Sequence, residues 1–193
     1  MGSRTPAVRA LIAFAGAALL AFTASSSSAR GGEESTGDAE PLKLAMSGAF
    51  QPFSTTDEEG RLVGFDADIA REVAKRLGRP AGLVQTDWAG IQAGLQGGKY
   101  DLICGSMAIT AKRLQTMHFS LPYYVSGAQI FAREGLSELA GCRIGVTEDS
   151  TYADYISKHP EQFPRCRVVT YGSEAEIVAA MNADKIDAFV SAR

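Results

Sequence analysis

The sequence predicts an α/β protein of two lobes, each a mostly parallel sheet flanked by helices. Short β-branched runs alternate with amphipathic helical segments along most of the chain. The run from Leu102 to Gly105 is fully apolar, as expected for a parallel strand covered on both faces. An extended segment around Leu121 to Ser126 separates two such series and indicates a cleft between two lobes.

Composition and charge exclude several classes of protein. The 193 residues are 46% hydrophobic and 21% charged, which is typical of a globular chain with a buried core. Collagen-like, coiled-coil and polytopic membrane proteins are therefore excluded. A net charge of -3 offers no basic surface for neutralising phosphates, so we expect no nucleic-acid partner.

Residues 1–29 are typical of an export signal. Arg4 and Arg9 give a positive start, and Ala10 to Phe22 form an unbroken small or apolar run. That run is shorter than the roughly 20 residues that span a bilayer. We expect cleavage after Ala29, with an uncleaved anchor as the alternative, and a flexible leader over residues 30–40. The mature chain is therefore predicted to be periplasmic.

The first series, residues 41–125, predicts lobe one. Apolar residues recur every four positions from Phe65 to Leu77, which indicates a helix whose start Asp66 is expected to cap. Asp87 is expected to cap a second helix, which ends at Gly97. The predicted elements are strands Leu42 to Met46, Leu83 to Thr86 and Leu102 to Gly105, a loop and turn ending at Gly60, and the helix Asp66 to Leu77.

The second series, residues 126–193, predicts lobe two. Ser150 is expected to cap a helix that runs through Lys158. Ser173 and Glu176 form a capping box for a helix over Glu174 to Ala183. The predicted strands are Gln129 to Ala132, Arg143 to Val146, Val168 to Tyr171 and Ile186 to Val190.

Export changes the interpretation of the three cysteines, because an oxidising compartment permits disulfides. Cys142 and Cys166 each open a predicted strand, and neighbouring parallel strands would place them at the same end of one sheet. We predict a Cys142–Cys166 disulfide, with two free thiols as the alternative, and a buried, unreactive Cys104.

His118 and His159 are the only histidines, and the sequence has neither metal-ligand spacing nor a glycine-rich phosphate loop. We therefore expect no metal and no cofactor.

Seven motifs follow one another in order after residue 41. They are FQPF at 50–53, GFDADIAREVAKRLG at 64–78, DWAGI at 87–91, GKYDL at 98–102, ITAKR at 109–113, FSLPYY at 119–124 and IDAF at 186–189. In this order they resemble the family 3 extracellular solute-binding proteins of ABC importers, with Ala67 in place of the larger apolar residue usual in the signature. The resemblance implies a two-lobed, type II periplasmic-binding-protein fold. It also implies a monomer, not an enzyme, that closes on a polar or cationic amino acid and delivers it to a membrane permease.

The matched positions supply candidate ligand contacts. Arg113 follows Thr110, whose hydroxyl can cap the short helix that presents the guanidinium, and a guanidinium is suited to a bidentate carboxylate. Ser150 and Thr151 open a helix of lobe two, where free backbone N–H groups favour an anion. A surface role for Arg113 and a simple capping role at the helix start are the alternatives.

Aromatic and polar positions complete the site that the resemblance implies. Phe50 and Trp88 resemble the aromatic walls that stack on the ligand side chain, with a core role as the alternative for Trp88. Ser106 matches a position that meets polar groups of the ligand. Asp66 matches a position that is used structurally and sometimes near the ligand, and we favour its helix-capping role.

Three departures from the family pattern affect these expectations. Ala108 stands where relatives often have Ser or Thr. Ser191 and Ala192 stand where relatives usually have an acidic residue that receives the ligand ammonium. Either Glu148 or Asp149 substitutes for that residue, or affinity for α-amino acids is lost, which is the favoured outcome. Finally, relatives continue past the position of Arg193 and return to lobe one, so we expect a C-terminally truncated chain with an incomplete lobe one.

Other functions stay open at this point. A truncated remnant that binds nothing is one alternative. An enzyme that resembles cyclohexadienyl dehydratase on the same fold is another, and it would need an acid or base from Glu148, Asp149 or His118. A sensory receptor of this fold is less favoured, because the chain has no predicted spanning segment or further domain.

Overall fold

The computed structural model describes residues 39–193, so the predicted signal peptide and most of the predicted leader lie outside the described residues. The strands are β1 (Leu42–Met46), β2 (Ala49–Phe50), β3 (Ser54–Thr56), β4 (Leu62–Val63), β5 (Ala81–Gln85), β6 (Leu102–Ile103), β7 (Ala128–Ala132), β8 (Arg143–Thr147), β9 (Arg167–Tyr171) and β10 (Ala188–Ala192). The helices are α1 (Phe65–Arg76), α2 (Ile91–Gln96), α3 (Ala111–Leu114), α4 (Thr151–Lys158) and α5 (Glu174–Asn182). None of these helices has the length and apolar character needed to cross a bilayer.

Lobe one is built on a parallel sheet of order β5-β1-β6. The central strand β1 is buried on both faces over residues 44–46, because helices cover both faces there. Leu44 and Met46 pack with the small residues of α1, and Ala45 packs on the other face against Ile91 of α2 and Tyr100. Lys43 is the one exposed residue of β1. The fully apolar run that the sequence predicts as a covered strand is instead the short edge strand β6, whose Leu102 is exposed, so that expectation of burial on both faces is wrong.

A small antiparallel sheet of β2, β3 and β4 stands where the sequence predicts only a loop and a turn. The turn is confirmed, since Gly60 N–H donates to the Asp57 carbonyl at 3.0 Å. The strands were missed because two or three residues are too few for a periodic pattern. Ser54 holds this sheet against the end of β1 by accepting from the Gly48 N–H at 2.7 Å.

Lobe two contains a four-stranded sheet of order β7-β10-β8-β9. Strands β10, β8 and β9 run parallel, and β7 pairs antiparallel with β10 at the edge. Ile144 and Val146 of β8 pack in one core with Ile156 of α4, while Ile177 of α5 and Ile186 form a second core. The carboxyl ends of β8, β9 and β10 therefore meet at one edge, where α4 and α5 begin.

The helix caps predicted in lobe two are confirmed, whereas the two caps predicted for Asp66 and Asp87 in lobe one are wrong. Ser150 accepts from Ala153 N–H and Ser173 accepts from Glu176 N–H, both at 3.2 Å. Helix α1 instead begins after Gly64, and the Asp66 side chain makes no cap. Asp87 precedes a 3-10 turn over Trp88–Gly90 and likewise makes no side-chain cap. An aspartate near the start of a helix therefore does not necessarily cap it.

Asp187 fixes the position of β10 against β8. Its carboxylate accepts hydrogen bonds from the backbone N–H, Nε and Nη2 of Arg143, at 2.8, 3.0 and 2.6 Å. These bonds lower the pKa of Asp187 to about 2. The pair therefore holds the strand that carries Ser191 in register.

The two cysteines expected to form a disulfide are free thiols in the structure, as is Cys104. Arg143 of β8 pairs with Arg167 of the parallel strand β9. Cys142 and Cys166, the residues just before them, therefore lie at the same end of neighbouring strands, as the sequence predicts. Their thiols donate instead to the carbonyls of Glu138 and Leu139, at 3.3 and 2.8 Å. The strand register is compatible with a bridge, and the disulfide itself stays a prediction.

We expect Asp187→Asn to destabilise the protein by about 1 kcal/mol at neutral pH, because the partly exposed ion pair is screened by solvent. The folded-state pKa of Asp187 is lowered, so its contribution is fully present above the ordinary value of 3.8 and is lost as the pH falls towards about 2. Urea denaturation of both proteins from pH 7 to pH 2 measures this. A difference in unfolding free energy that persists at pH 2 would contradict the assignment.

We expect oxidised protein to carry the Cys142–Cys166 bridge. Intact mass should then be lower by two hydrogens than that of the reduced chain, and alkylation under denaturing conditions should label Cys104 alone. Cys142→Ser provides the control, because it should leave Cys166 free to alkylate. Labelling of all three thiols in oxidised wild-type protein would exclude the bridge.

Candidate functional site

A cavity of about 90 Å³ lies between the two lobes, at the edge where α4 and α5 begin. Lobe two contributes the ends of its parallel strands and the first residues of both helices, and lobe one contributes the β2 region, Trp88 and the loop after β6. The lining residues are Ser47, Ala49, Phe50, Trp88, Gly105, Ser106, Ala108, Arg113, Thr147, Ser150, Thr151, Tyr152, Gly172, Ser173, Glu174 and Ser191.

All six ligand contacts suggested by the sequence line this one cavity, although they come from five separate parts of the chain. They are Phe50, Trp88, Ser106, Arg113, Ser150 and Thr151. The structure thus brings together every residue of the candidate set. Contact of each residue with a ligand stays a prediction.

Arg113 is the cation of the cavity, and its side chain reaches both lobes. Thr110 caps the short helix α3 by accepting from Arg113 N–H at 3.2 Å, as the sequence predicts. Arg113 as a residue is only 7% exposed, and its guanidinium donates to the carbonyls of Ala108 at 2.9 Å and Asp149 at 3.1 Å. Within residues 39–193 it forms no ion pair, and burial lowers its pKa. Its remaining N–H groups are therefore suited to an anion in the cavity.

Helix α4 points its amino end at the same cavity. Ser150 is 7% exposed and satisfies the Ala153 N–H, while Thr151 is the first helical residue. The first backbone N–H groups of a helix lack partners within the helix, and the helix dipole adds positive potential there. The arrangement therefore allows lobe two to attract the same anion as Arg113.

Two aromatic residues form walls of the cavity. Phe50 stacks on Phe53 with ring centroids 5.0 Å apart. Trp88 is half-buried, packs against the core around Ile91 and lies under the Arg113 guanidinium at 5.5 Å. Trp88 therefore has the core contacts that the sequence offered as the alternative and also lines the cavity, while its stacking on a ligand side chain stays a prediction.

Asp66 positions Ser106 rather than capping a helix. Its Oδ1 accepts from the Ser106 hydroxyl at 2.9 Å and the Tyr123 hydroxyl at 2.7 Å, and Tyr123 in turn accepts from Ser106 N–H at 3.1 Å. Asp66 is fully buried and its Oδ2 has no partner among the described residues, so burial raises its pKa. Burial and the nearby Asp66 charge raise the pKa of Cys104 to about 11, which keeps the thiol protonated at neutral pH and supports the prediction that it is unreactive.

Glu174 is the site residue that sequence reasoning missed. It is the first residue of α5, lines the cavity and accepts from the Ser191 hydroxyl at 2.9 Å. Burial raises the pKa of its carboxyl, and the bond from Ser191 opposes that shift. The signal available in the sequence was a second glutamate inside a capping box, next to Ser173 and Glu176.

The two carboxylates proposed to replace the missing acid do not line the cavity. Glu148 and Asp149 are both exposed, and Asp149 contributes its backbone carbonyl to Arg113 instead. Of the residues that line the cavity, Arg113 and Glu174 are therefore the two that carry opposite charges.

A second cavity, of about 300 Å³, runs along residues 119–126 and is lined by aromatic, aliphatic and hydroxyl side chains without a charged group. It is larger than the first cavity but lacks groups that would recognise a charged solute. No cluster of three or more metal-ligating side chains occurs in the part of the chain that the structure describes. The smaller cavity is therefore the candidate site.

Comparison with known proteins gives consistent matches. The chain matches the bacterial extracellular solute-binding proteins, family 3, over residues 42–183. It is 28% identical to the L-cystine-binding protein TcyJ of Escherichia coli strain K12, over 77% of this chain and 58% of that protein. It is 31% identical to the L-arginine-binding protein of Pseudomonas aeruginosa, over 79% of this chain and 61% of that protein.

Solved structures show the same fold. An ancestral arginine-binding protein bound to arginine matches with a TM-score of 0.73 and 30% identity, over 79% of this chain and 70% of that one. The architecture is the two-lobed, type II fold of periplasmic amino-acid-binding proteins. Because the family match runs from β1 through α5 and covers more than half of the chain, the chain belongs to the bacterial extracellular solute-binding proteins of family 3.

Proposed function

We propose that this chain is the receptor component of an ABC importer and binds a polar or cationic amino acid between its lobes. One observation carries the proposal: a cation, Arg113 on lobe one, and a carboxylate, Glu174 on lobe two, line the same cavity. An amino acid at neutral pH has a carboxylate and an ammonium group on one carbon. A cavity with one charge of each sign is complementary to such a zwitterion.

Arg113 and the start of α4 together suit the ligand carboxylate. The guanidinium offers donors in a fixed planar arrangement, and α4 offers backbone N–H groups at Ser150 and Thr151. Because these groups belong to different lobes, a carboxylate held by both favours the closed form. Ligand binding and closure of the cleft are thus coupled.

The aromatic walls suit a flat or cationic ligand side chain. Phe50 and Trp88 offer ring faces, and Ser106 is held by Asp66 at the wall of the cavity. A guanidinium or ammonium gains cation–π attraction from such rings, and an amide stacks on them. Relatives named for arginine and for cystine have ligands of this polar kind.

The proposed role requires export and a membrane partner. We place the mature protein in the periplasm after cleavage of the signal peptide, acting as a monomer that delivers its ligand to the importer's permease. The relatives support this role, since their names are those of binding proteins rather than enzymes. The chain covers 58% and 61% of the two relatives' lengths, so the activity of the whole protein belongs to this proposal.

We expect the fluorescence of Trp88 to report ligand binding, because it is the single tryptophan and lines the cavity. Titration of the full chain with the common amino acids, ornithine and cystine should give a saturable change for polar or cationic members. Apolar amino acids such as leucine should give none. An emission that responds to no amino acid would overturn the proposal.

We expect Arg113→Ala to weaken amino-acid binding by at least about 30-fold, since truncating one partner of a buried charge pair costs 2 kcal/mol or more. Isothermal titration calorimetry measures the loss. Lys112→Ala is the matched control, because it removes one positive charge from the same helix at an exposed position outside the cavity lining. Equal affinities for Arg113→Ala and the control would exclude a carboxylate contact.

A further inference from the structure

We propose that Glu174 receives the ligand ammonium and so restricts this site to solutes that carry both a carboxylate and an amino group. The inference rests on the proposed function and deepens it. Neither Ser191 nor Ala192 can supply an anionic group at the end of β10. Glu174 supplies one from the start of a different element, α5.

The sheet order places this carboxylate beside the anion site. Glu174 follows β9, whereas its hydrogen-bond partner Ser191 lies on β10, and β8 runs between those two strands. The carboxylate therefore lies across the carboxyl end of β8. Helix α4 begins just after that end, and Tyr152 in its first turn has its pKa raised by burial and by the Glu174 charge.

The geometry of an α-amino acid then determines which ligand group meets Glu174. In an α-amino acid, the carboxylate and the ammonium are attached to the same carbon. A ligand whose carboxylate is held by Arg113 and the first turn of α4 therefore has its ammonium close to that carboxylate. Glu174 is the lining residue that can accept a charge-assisted hydrogen bond there. A second ligand carboxylate would be repelled, and an uncharged group would leave the partly buried Glu174 without a cation.

Ser191 supports this role by orienting the carboxylate. Ser191 is 4% exposed, and its hydroxyl donates to Oε1 of Glu174. This bond fixes one carboxylate oxygen against strand β10, and the other oxygen, Oε2, takes no part in it. Glu176 satisfies the loop before α5 by accepting from Gly172 N–H at 2.9 Å. Glu174 is therefore not needed for capping its own helix.

The experiment compares Glu174→Gln with wild type, using L-arginine and L-glutamine and their analogues without the amino group, 5-guanidinopentanoate and glutaramate. We expect the wild type to prefer each amino acid over its analogue by at least 30-fold. Glu174→Gln should lose at least 30-fold in affinity for the amino acids and little for the analogues, so the preference should fall towards one. Glu176→Gln is the matched control, with the same charge change at an exposed site of α5, and should stay within about twofold of wild type.

Two further measurements separate this role from a structural one. An ammonium lowers the pKa of Glu174 in the complex, so wild-type affinity should be full above the free-state pKa and fall as the pH drops through it. Arg113 and Tyr152 also titrate in the lining, but both do so well above that range. Glu174→Gln should lack this pH dependence, and Ser191→Asp added to Glu174→Gln should restore part of the preference.

The outcomes distinguish the inference from the proposed function. Wild type that binds neither L-arginine nor L-glutamine overturns both. Wild type that binds them overturns the inference alone if Glu174→Gln weakens amino acids and analogues equally, or weakens neither.

Discussion

The buried guanidinium of Arg113 is the constraint on which the rest of the cleft depends. A charged residue that is only 7% exposed is costly unless its donors are satisfied, and within residues 39–193 no carboxylate forms an ion pair with Arg113. Two backbone carbonyls, one from each lobe, and the face of Trp88 offset part of that cost. The remaining N–H donors of the Arg113 guanidinium are suited to an anion that enters the cleft, and such an anion would offset the rest of the cost.

The opposite charges of the cleft are divided between the lobes. Arg113 belongs to α3 of lobe one, and Glu174 belongs to α5 of lobe two. A zwitterion satisfies both groups only when the lobes are close together, so its binding energy is available to the closed state and not to an open one. In the proposed binding mode, a solute with one charge would leave either the buried Arg113 or the partly buried Glu174 unpaired, so selectivity would come from the same contacts that favour closure.

The features that the sequence predicted well are those that depend on residues close together along the chain. Periodicity and caps predicted α1, α4 and α5 with ends within about two residues, and the motif residues of the site proved to line one cavity. Glu174 could not be assigned in the same way, because its position beside α4 depends on the strand order β10-β8-β9. Asp66 was misassigned for a similar reason, since its partners Ser106 and Tyr123 are distant in sequence.

The two glutamates at the start of α5 have separate tasks, and this separation has an evolutionary consequence. Glu176 and Ser173 hold the first turn of the helix, so the helix does not depend on the residue at position 174. Mutations at that position would change the charge that lines the cavity while the fold is retained. Such a position is one where closely related transport systems can diverge in nutrient preference through single substitutions.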